Sequence, residues 1–213
     1  MRIRVGLNLH VELWTYFAIF AAALVVQLQP AWREALIYDR AALQHGEWWR
    51  IWTGHIVHFG WPHFIADGGL LAILGLTLGR EFPRDSVLGF LLMPPVIAAV
   101  LYWLDPTMTR YAGLSAVNLG LLLLLAARGW TGNWRDWFWP AIVVIYVVEL
   151  TYEIVKGGHG GGFIEFDDPG VKVATSAHLA AVAYALCAWA GAKLMDRAKF
   201  VKPSSDRNKS LPG

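Results

Sequence analysis

Long apolar runs, separated by short segments that carry most of the charge, leave this chain few folds to choose from. Windows of about 20 residues, the length that crosses a bilayer core as a helix, locate six of them. They lie near Leu13–Leu28, Pro62–Gly79, Ser86–Leu104, Gly113–Ala127, Trp137–Val155 and Val173–Leu194. Only 16% of the residues are charged, against roughly 25% in a soluble domain, and mean hydropathy is +0.43. The expected fold is therefore all-α, a polytopic membrane protein of six transmembrane helices with the lipid bilayer as its solvent. No internal repeat is apparent, so residues 1–195 read as one membrane domain. Residues 196–213, rich in Lys, Arg, Ser and Pro, read as a disordered cytoplasmic tail.

Lys and Arg set the direction. With the amino terminus inside, Arg2, Arg4, Arg80, Arg84, Arg128, Arg135, Lys193 and the tail face the cytoplasm. Arg33, Arg40, Arg50, Arg110, Lys156 and Lys172 face outward. That is 12 of the 18 basic residues inside, and it places both termini in the cytoplasm. No small-residue cleavage site follows Arg2 and Arg4, so the first run reads as a retained helix rather than a signal peptide. The tryptophans clustered at Trp48–Trp52 and Trp130–Trp139 suit interfacial belts. A net charge of +2, scattered between apolar runs, offers nucleic acid no patch. The single cysteine, Cys187, cannot form an internal disulfide and reads as a buried structural thiol.

This topology starts the second, fourth and sixth spans at the outer face. Their first turns hold His63 and Asp67, then Ser115, then His178. The fourth span, 15 residues long, reaches about 22 Å at 1.5 Å per residue, short of a core of about 30 Å. With its inner end at Arg128, Ser115 lies below the outer surface and the segment Asp105–Ala112 dips inward. Irregular backbone at that depth needs protein or a water-filled cavity around it. In such a cavity the His178 imidazole can take the Ser115 hydroxyl proton during attack on a carbonyl and return it to the leaving amine. The bland alternative is a packing serine and an interfacial histidine. No carboxylate is fixed beside His178, so a dyad is expected rather than a triad.

His55, His58, His63 and Asp67 form a second cluster, in which His63 and Asp67, four apart, share a helical face. Its donors suit an oxyanion, together with the backbone N–H of Ser115. A metal site of three histidines and an aspartate and a plain polar cluster are the other readings. The metalloprotease pattern H-E-x-x-H is absent, and no metal or cofactor is expected. Glu149, Glu153 and Lys156 share a face near the outer end of the fifth span. Gly157–Gly162 and Phe163–Gly170 suit either a mobile cap or a passive connector.

These residues resemble the rhomboid-family intramembrane serine proteases across all six runs. Gly113–Leu114–Ser115 matches the family's G-x-S motif, and Ala177–His178 with Ala181 and Ala185 is similar to its A-H-x-x-G-x-x-x-G helix. Glu47–Trp48–Trp49–Arg50–Ile51–Trp52–Thr53 resembles the W-R motif of its first outer loop. The resemblance implies Ser115 as nucleophile, His178 as base, and an oxyanion-hole role for His63, with His58 beside it. Asp67 stands where the family usually has asparagine, Ala116 replaces a glycine, and Leu119 replaces an aromatic that stacks on the histidine. Asn118 is left as a candidate support for His178. Within the family the W-P-H, G-L-S and A-H-L segments look most like the rhombosortases, which implies a membrane-anchored substrate losing a carboxy-terminal Gly-Gly-plus-anchor signal. The rivals are a catalytically silent relative that binds transmembrane helices, and a small-molecule transporter, which would be expected to show a repeated half.

Overall fold

The computed structural model describes residues 9–79, 81–130, 132–133, 135–155 and 174–201. Arg2, Arg4, Arg80, Lys156, Lys172, the glycine-rich segment 157–170 and the tail beyond Val201 lie outside the described residues, and with them much of the charge asymmetry. The chain is mostly helical. Helix α1 (Leu9–Leu28) is followed by a 3₁₀ turn (Pro30–Trp32), α2 (Arg33–Leu36), strand β1 (Tyr38–Asp39), α3 (Arg40–Gln44), α4 (Arg50–Thr53) and a second 3₁₀ turn (Gly54–Ile56). Then come α5 (Trp61–Leu74), ending in a π-helical turn (Gly75–Gly79), α6 (Pro83–Trp103), β2 (Arg110–Tyr111), α7 (Ser115–Gly129), α8 (Phe138–Val155) and α9 (Thr175–Val201).

Each expected apolar window holds a helix. Among the described residues, two helices suffice by length and composition to cross a membrane, α6 and the Thr175–Met195 stretch of α9. The number rises to four if each of two bent pairs counts as one span: Leu13–Leu28 with Pro30–Leu36, and Arg50–Ile56 with Trp61–Thr77, each bent by 100°. Ser115–Gly129 and Phe138–Tyr152 are shorter apolar helices. Helix α9 runs on past Asp196 to Val201, where the sequence reading places the start of a disordered tail.

The segment between α1 and α5 is where expectation was thinnest. Its helices of four or five residues are too short to hold by propensity; the Asp39 side chain caps α3, and buried Arg50, on α4, ties that helix to α2. Its Nη1 donates to the carbonyls of Glu34 and Ile37, both at 2.8 Å, and its Nε donates to Glu47 Oε2 at 2.7 Å. Replacing Arg50 with alanine strands those acceptors. The expected cost is about 3–5 kcal/mol, the size seen when one member of a buried pair is removed, read as a lower unfolding midpoint in detergent. Lysine should not rescue it, because one ammonium cannot reproduce the planar fork.

The same segment completes its neighbour. Pro94 and Pro95 stand inside α6 and lack N–H groups, which leaves the carbonyls four residues earlier without helical partners. The Trp52 indole donates to one of them, Leu91 O, at 3.1 Å, and so satisfies a group that lipid cannot. Arg40 donates to Leu101 O and Tyr102 O at the end of α6. Trp48, Trp49 and Trp52 are exposed, as an interfacial belt requires.

Helix α7 lies at the centre and packs most extensively on α9, with further contacts to α8, α6 and α5. Leu121 and Leu125 are fully buried in one cluster with Met93, Ile97 and Ala181. Gly120 permits the approach: a Cβ there would stand 2.6 Å from Met93 Sδ and 3.0 Å from Ala181 Cβ. Small residues at such crossings let helix backbones close in. On α9 the buried stripe is Ala177, Ala181 and Ala185, at a spacing of four. Cys187, two residues further on, falls on the opposite face and is exposed. The expected buried thiol is thus corrected by the rotation of the helix, which the alanine stripe decides.

Candidate active site

The chain enters α7 through a sharp elbow. Gly113 has φ +117°, a value that L side chains rarely adopt, and a Cβ on it would stand 2.6 Å from His63 Nε2 and 3.2 Å from Asp67 Oδ2. The stretch before the elbow is irregular, but its backbone is paired. Strand β2 runs antiparallel to β1, with Tyr38 opposite Tyr111, and Gly113 N donates to Gly54 O at 3.2 Å. The segment between α1 and α5 therefore supplies partners for this irregular backbone, as a polar backbone away from water requires.

Ser115 is the first residue of α7 and half-buried. Its Oγ lies 3.1 Å from His178 Nε2, where the first turn of α9 delivers a buried imidazole. The Tyr146 hydroxyl of α8 donates to His178 O at 3.4 Å. Ser176 Oγ donates to Asp105 Oδ2 at 2.7 Å, which ties the start of α9 to the chain leaving α6. The Thr107 hydroxyl, joined by Ser176, holds the Asp105 carboxyl below its usual range, so it stays ionised at neutral pH, and the stability that its charged form contributes is lost as pH falls through the lowered value.

Behind the elbow sits the histidine–aspartate cluster. Phe59 N–H donates to His63 Nδ1 at 3.3 Å. A neutral imidazole that accepts at Nδ1 carries its proton on Nε2, and His63 Nε2 faces Asp67 Oδ2 at 3.2 Å. His58 Nε2 is also 3.2 Å from that oxygen, without the alignment of a hydrogen bond. Among the described residues neither ring nitrogen of His58 has a hydrogen-bond partner. Leu114 N–H donates to the same carboxylate oxygen at 2.8 Å. The resemblance implies the oxyanion role for His63, and Asp67, which stands where the family usually has asparagine, is the acceptor in this arrangement. A carboxyl group can serve an oxyanion only when it carries a proton.

Asn118 is fully buried, and its Nδ2 donates to Asp67 O at 2.8 Å. Its amide clasps α7 to α5, where the sequence reading offered it as a support for His178. Two further residues belong to the site. The Tyr111 hydroxyl donates to Gly113 O at 2.9 Å, and His55 Nδ1 lies 3.3 Å from the same carbonyl. His55 carried a signal in its run of histidines; Tyr111 carried none beyond standing two residues before the glycine. Glu149 is half-buried on α8, and Lys156 and the side chain of Glu153 lie outside the described residues.

Two comparisons bear on this geometry. The rhomboid domain family matches residues 45–193, a stretch that takes in Arg50, the histidine–aspartate cluster, Ser115 and His178. Two proteins described as "Probable potassium transport system protein Kup", from two strains of Xanthomonas campestris pv. campestris, are each 31% identical over 99 residues. That alignment covers 41% of this chain and 16% of the transporter. The chain therefore spans about a sixth of those proteins' length, and potassium transport stays with them.

Proposed function

The chain belongs to the rhomboid family, and on that premise we propose that it is an intramembrane serine endopeptidase working through Ser115 and His178. The observation that supports this reading is the 3.1 Å approach of Ser115 Oγ to His178 Nε2. His178 takes the hydroxyl proton as Oγ attacks the scissile carbonyl, and gives it to the leaving amine as the C–N bond breaks. Water then attacks the acyl-serine ester, with His178 again as the base, and the hydroxyl is restored. The Ser115 backbone N–H, at the start of α7 with no intrahelical partner, is the oxyanion donor, aided by the positive end of the helix dipole. The two side chains and the helix terminus supply every proton and charge that the steps require, without a metal or cofactor.

In this reading six helices cross the inner membrane, both termini are cytoplasmic, and the membrane domain is residues 1–195. The dyad then opens to the outer side. Its substrate is a membrane-anchored protein, cut near its transmembrane segment where the helix is locally unwound, because a helix hides its carbonyls. The narrower assignment is removal of a Gly-Gly sorting anchor. The test is the full chain in liposomes with a single-span substrate carrying Gly-Gly, an apolar segment and a basic tail. Mass spectrometry should find a cut on the outer side of that anchor.

A second reading, a relative that binds transmembrane helices without cutting them, is favoured by Ala116 and by the acceptor geometry of Asp67. Substrate that co-purifies with the protein yet stays intact would establish it and overturn the protease.

A further inference from the structure

We propose that Asp67 is a positioning residue for the nucleophile: its carboxylate, reaching across from α5, caps α7 and so sets the elbow that presents Ser115. The inference rests on the Ser115–His178 reading and deepens it. Helix N-termini are ordinarily capped by the side chain of Ser, Thr, Asp or Asn at the residue just outside the helix. Here that residue is Leu114, which has no such oxygen, and no side-chain cap is made there. The N–H of Leu114 itself donates to Asp67 Oδ2, 47 residues earlier, at 2.8 Å, the bond that an acid three residues into the helix makes to the cap residue in a capping box.

A second bond runs the other way. The Asn118 side chain donates to the Asp67 backbone carbonyl at 2.8 Å, so each helix contributes one side chain to the other's main chain. The reciprocity is that of a capping box, built between two helices instead of within one. Gly113 closes the arrangement, because its missing Cβ lets the chain lie flush against His63 Nε2 and Asp67 Oδ2. The carboxylate also stands at the positive end of α7, where negative charge is favoured.

The consequence concerns the dyad. Helix α9 brings His178 to one side of Ser115, and the Leu114–Asp67 bond holds the other side. Without it the elbow loses its attachment to α5, and the hydroxyl moves out of line with the imidazole. Asp67 does not touch the reacting atoms in this arrangement; it acts through Leu114.

The test compares wild type, Asp67→Ala and Asp67→Asn as the full chain in detergent. Three quantities are measured: kcat and KM for an anchored substrate, the rate of Ser115 modification by a fluorophosphonate, and the Leu114 amide resonance in protein labelled with ¹⁵N-leucine. In Asp67→Ala, kcat and the modification rate should fall together by about 10²-fold, the size of effect that a displacement of about 1 Å produces. KM should stay within about twofold, as expected when uniform substrate binding is untouched, and the Leu114 amide proton should move upfield. Asp67→Asn should stay within about tenfold of wild type, because its amide oxygen accepts the same N–H without the charge.

Wild-type modification rates in Asp67→Ala overturn the proposal. So does an asparagine variant as slow as the alanine one, or a Leu114 resonance that Asp67→Ala leaves in place. A wild-type protein that the reagent does not modify at Ser115 overturns the dyad itself. Failure of the positioning role and failure of the parent reading therefore give different results.

Discussion

Ser115→Ala and His178→Ala are each expected to reduce cleavage by about 10³-fold or more, and the double variant should be no worse than either single one. In the proposed dyad the two side chains, 3.1 Å apart, pass one proton between them, so each is of use only while the other is present. Alanine at 115 removes the atom that forms the ester. Alanine at 178 leaves a hydroxyl with no base, and a serine hydroxyl at its own pKa is a poor nucleophile. Initial rates for the three variants in liposomes measure this directly. Losses that multiply in the double variant would show the residues acting independently, contrary to a dyad.

The second large effect belongs to a residue with no side chain. Gly113→Ala should lower both activity and stability. At φ +117° a non-glycine residue carries backbone strain of about 1–3 kcal/mol. The new methyl also lies 2.6 Å from His63 Nε2 and 2.8 Å from His63 Cε1, well inside contact distance. Relief requires moving His63 away from Asp67, which breaks up the cluster behind the elbow, or moving the elbow away from α5, which carries Ser115 with it. Turnover should drop by about 10²-fold, with a lower unfolding midpoint in detergent. Wild-type turnover in Gly113→Ala would show that the elbow is not what orients the serine.

Much of the helical scaffold was legible because apolar residues in long runs admit little besides helix in lipid. The six windows coincide with α1, α5, α6, α7, α8 and α9 to within a few residues, except that α9 continues from Leu194 to Val201. The helices of the segment between α1 and α5 were not legible, since α2 and α4 are joined through one buried guanidinium, α3 is capped by Asp39, and Tyr38 pairs with Tyr111, far along the chain. Which way a helix faces was also hidden. Cys187 points outward because Ala177, Ala181 and Ala185 take the buried side, a choice that depends on Gly120 opposite.

At the site, residue types could be read but not their partners. His63 and Asp67 were visible as one helical face, yet which atom accepts and which donates depends on Phe59 N–H and Leu114 N–H. Asn118 could be noticed beside Ser115. Its bond to the Asp67 carbonyl depends on how closely α5 approaches α7, and that distance is a property of packing, not of the local chain.

The serine–histidine pair is tested most directly by treating the full chain with a fluorophosphonate and mapping the adduct by mass spectrometry, in the wild type and in His178→Ala. The expected result is a single adduct on Ser115 in the wild type, lost or strongly slowed without the imidazole. An adduct on another residue, or equal modification of Ser115 in His178→Ala, would contradict a nucleophile activated across that 3.1 Å contact.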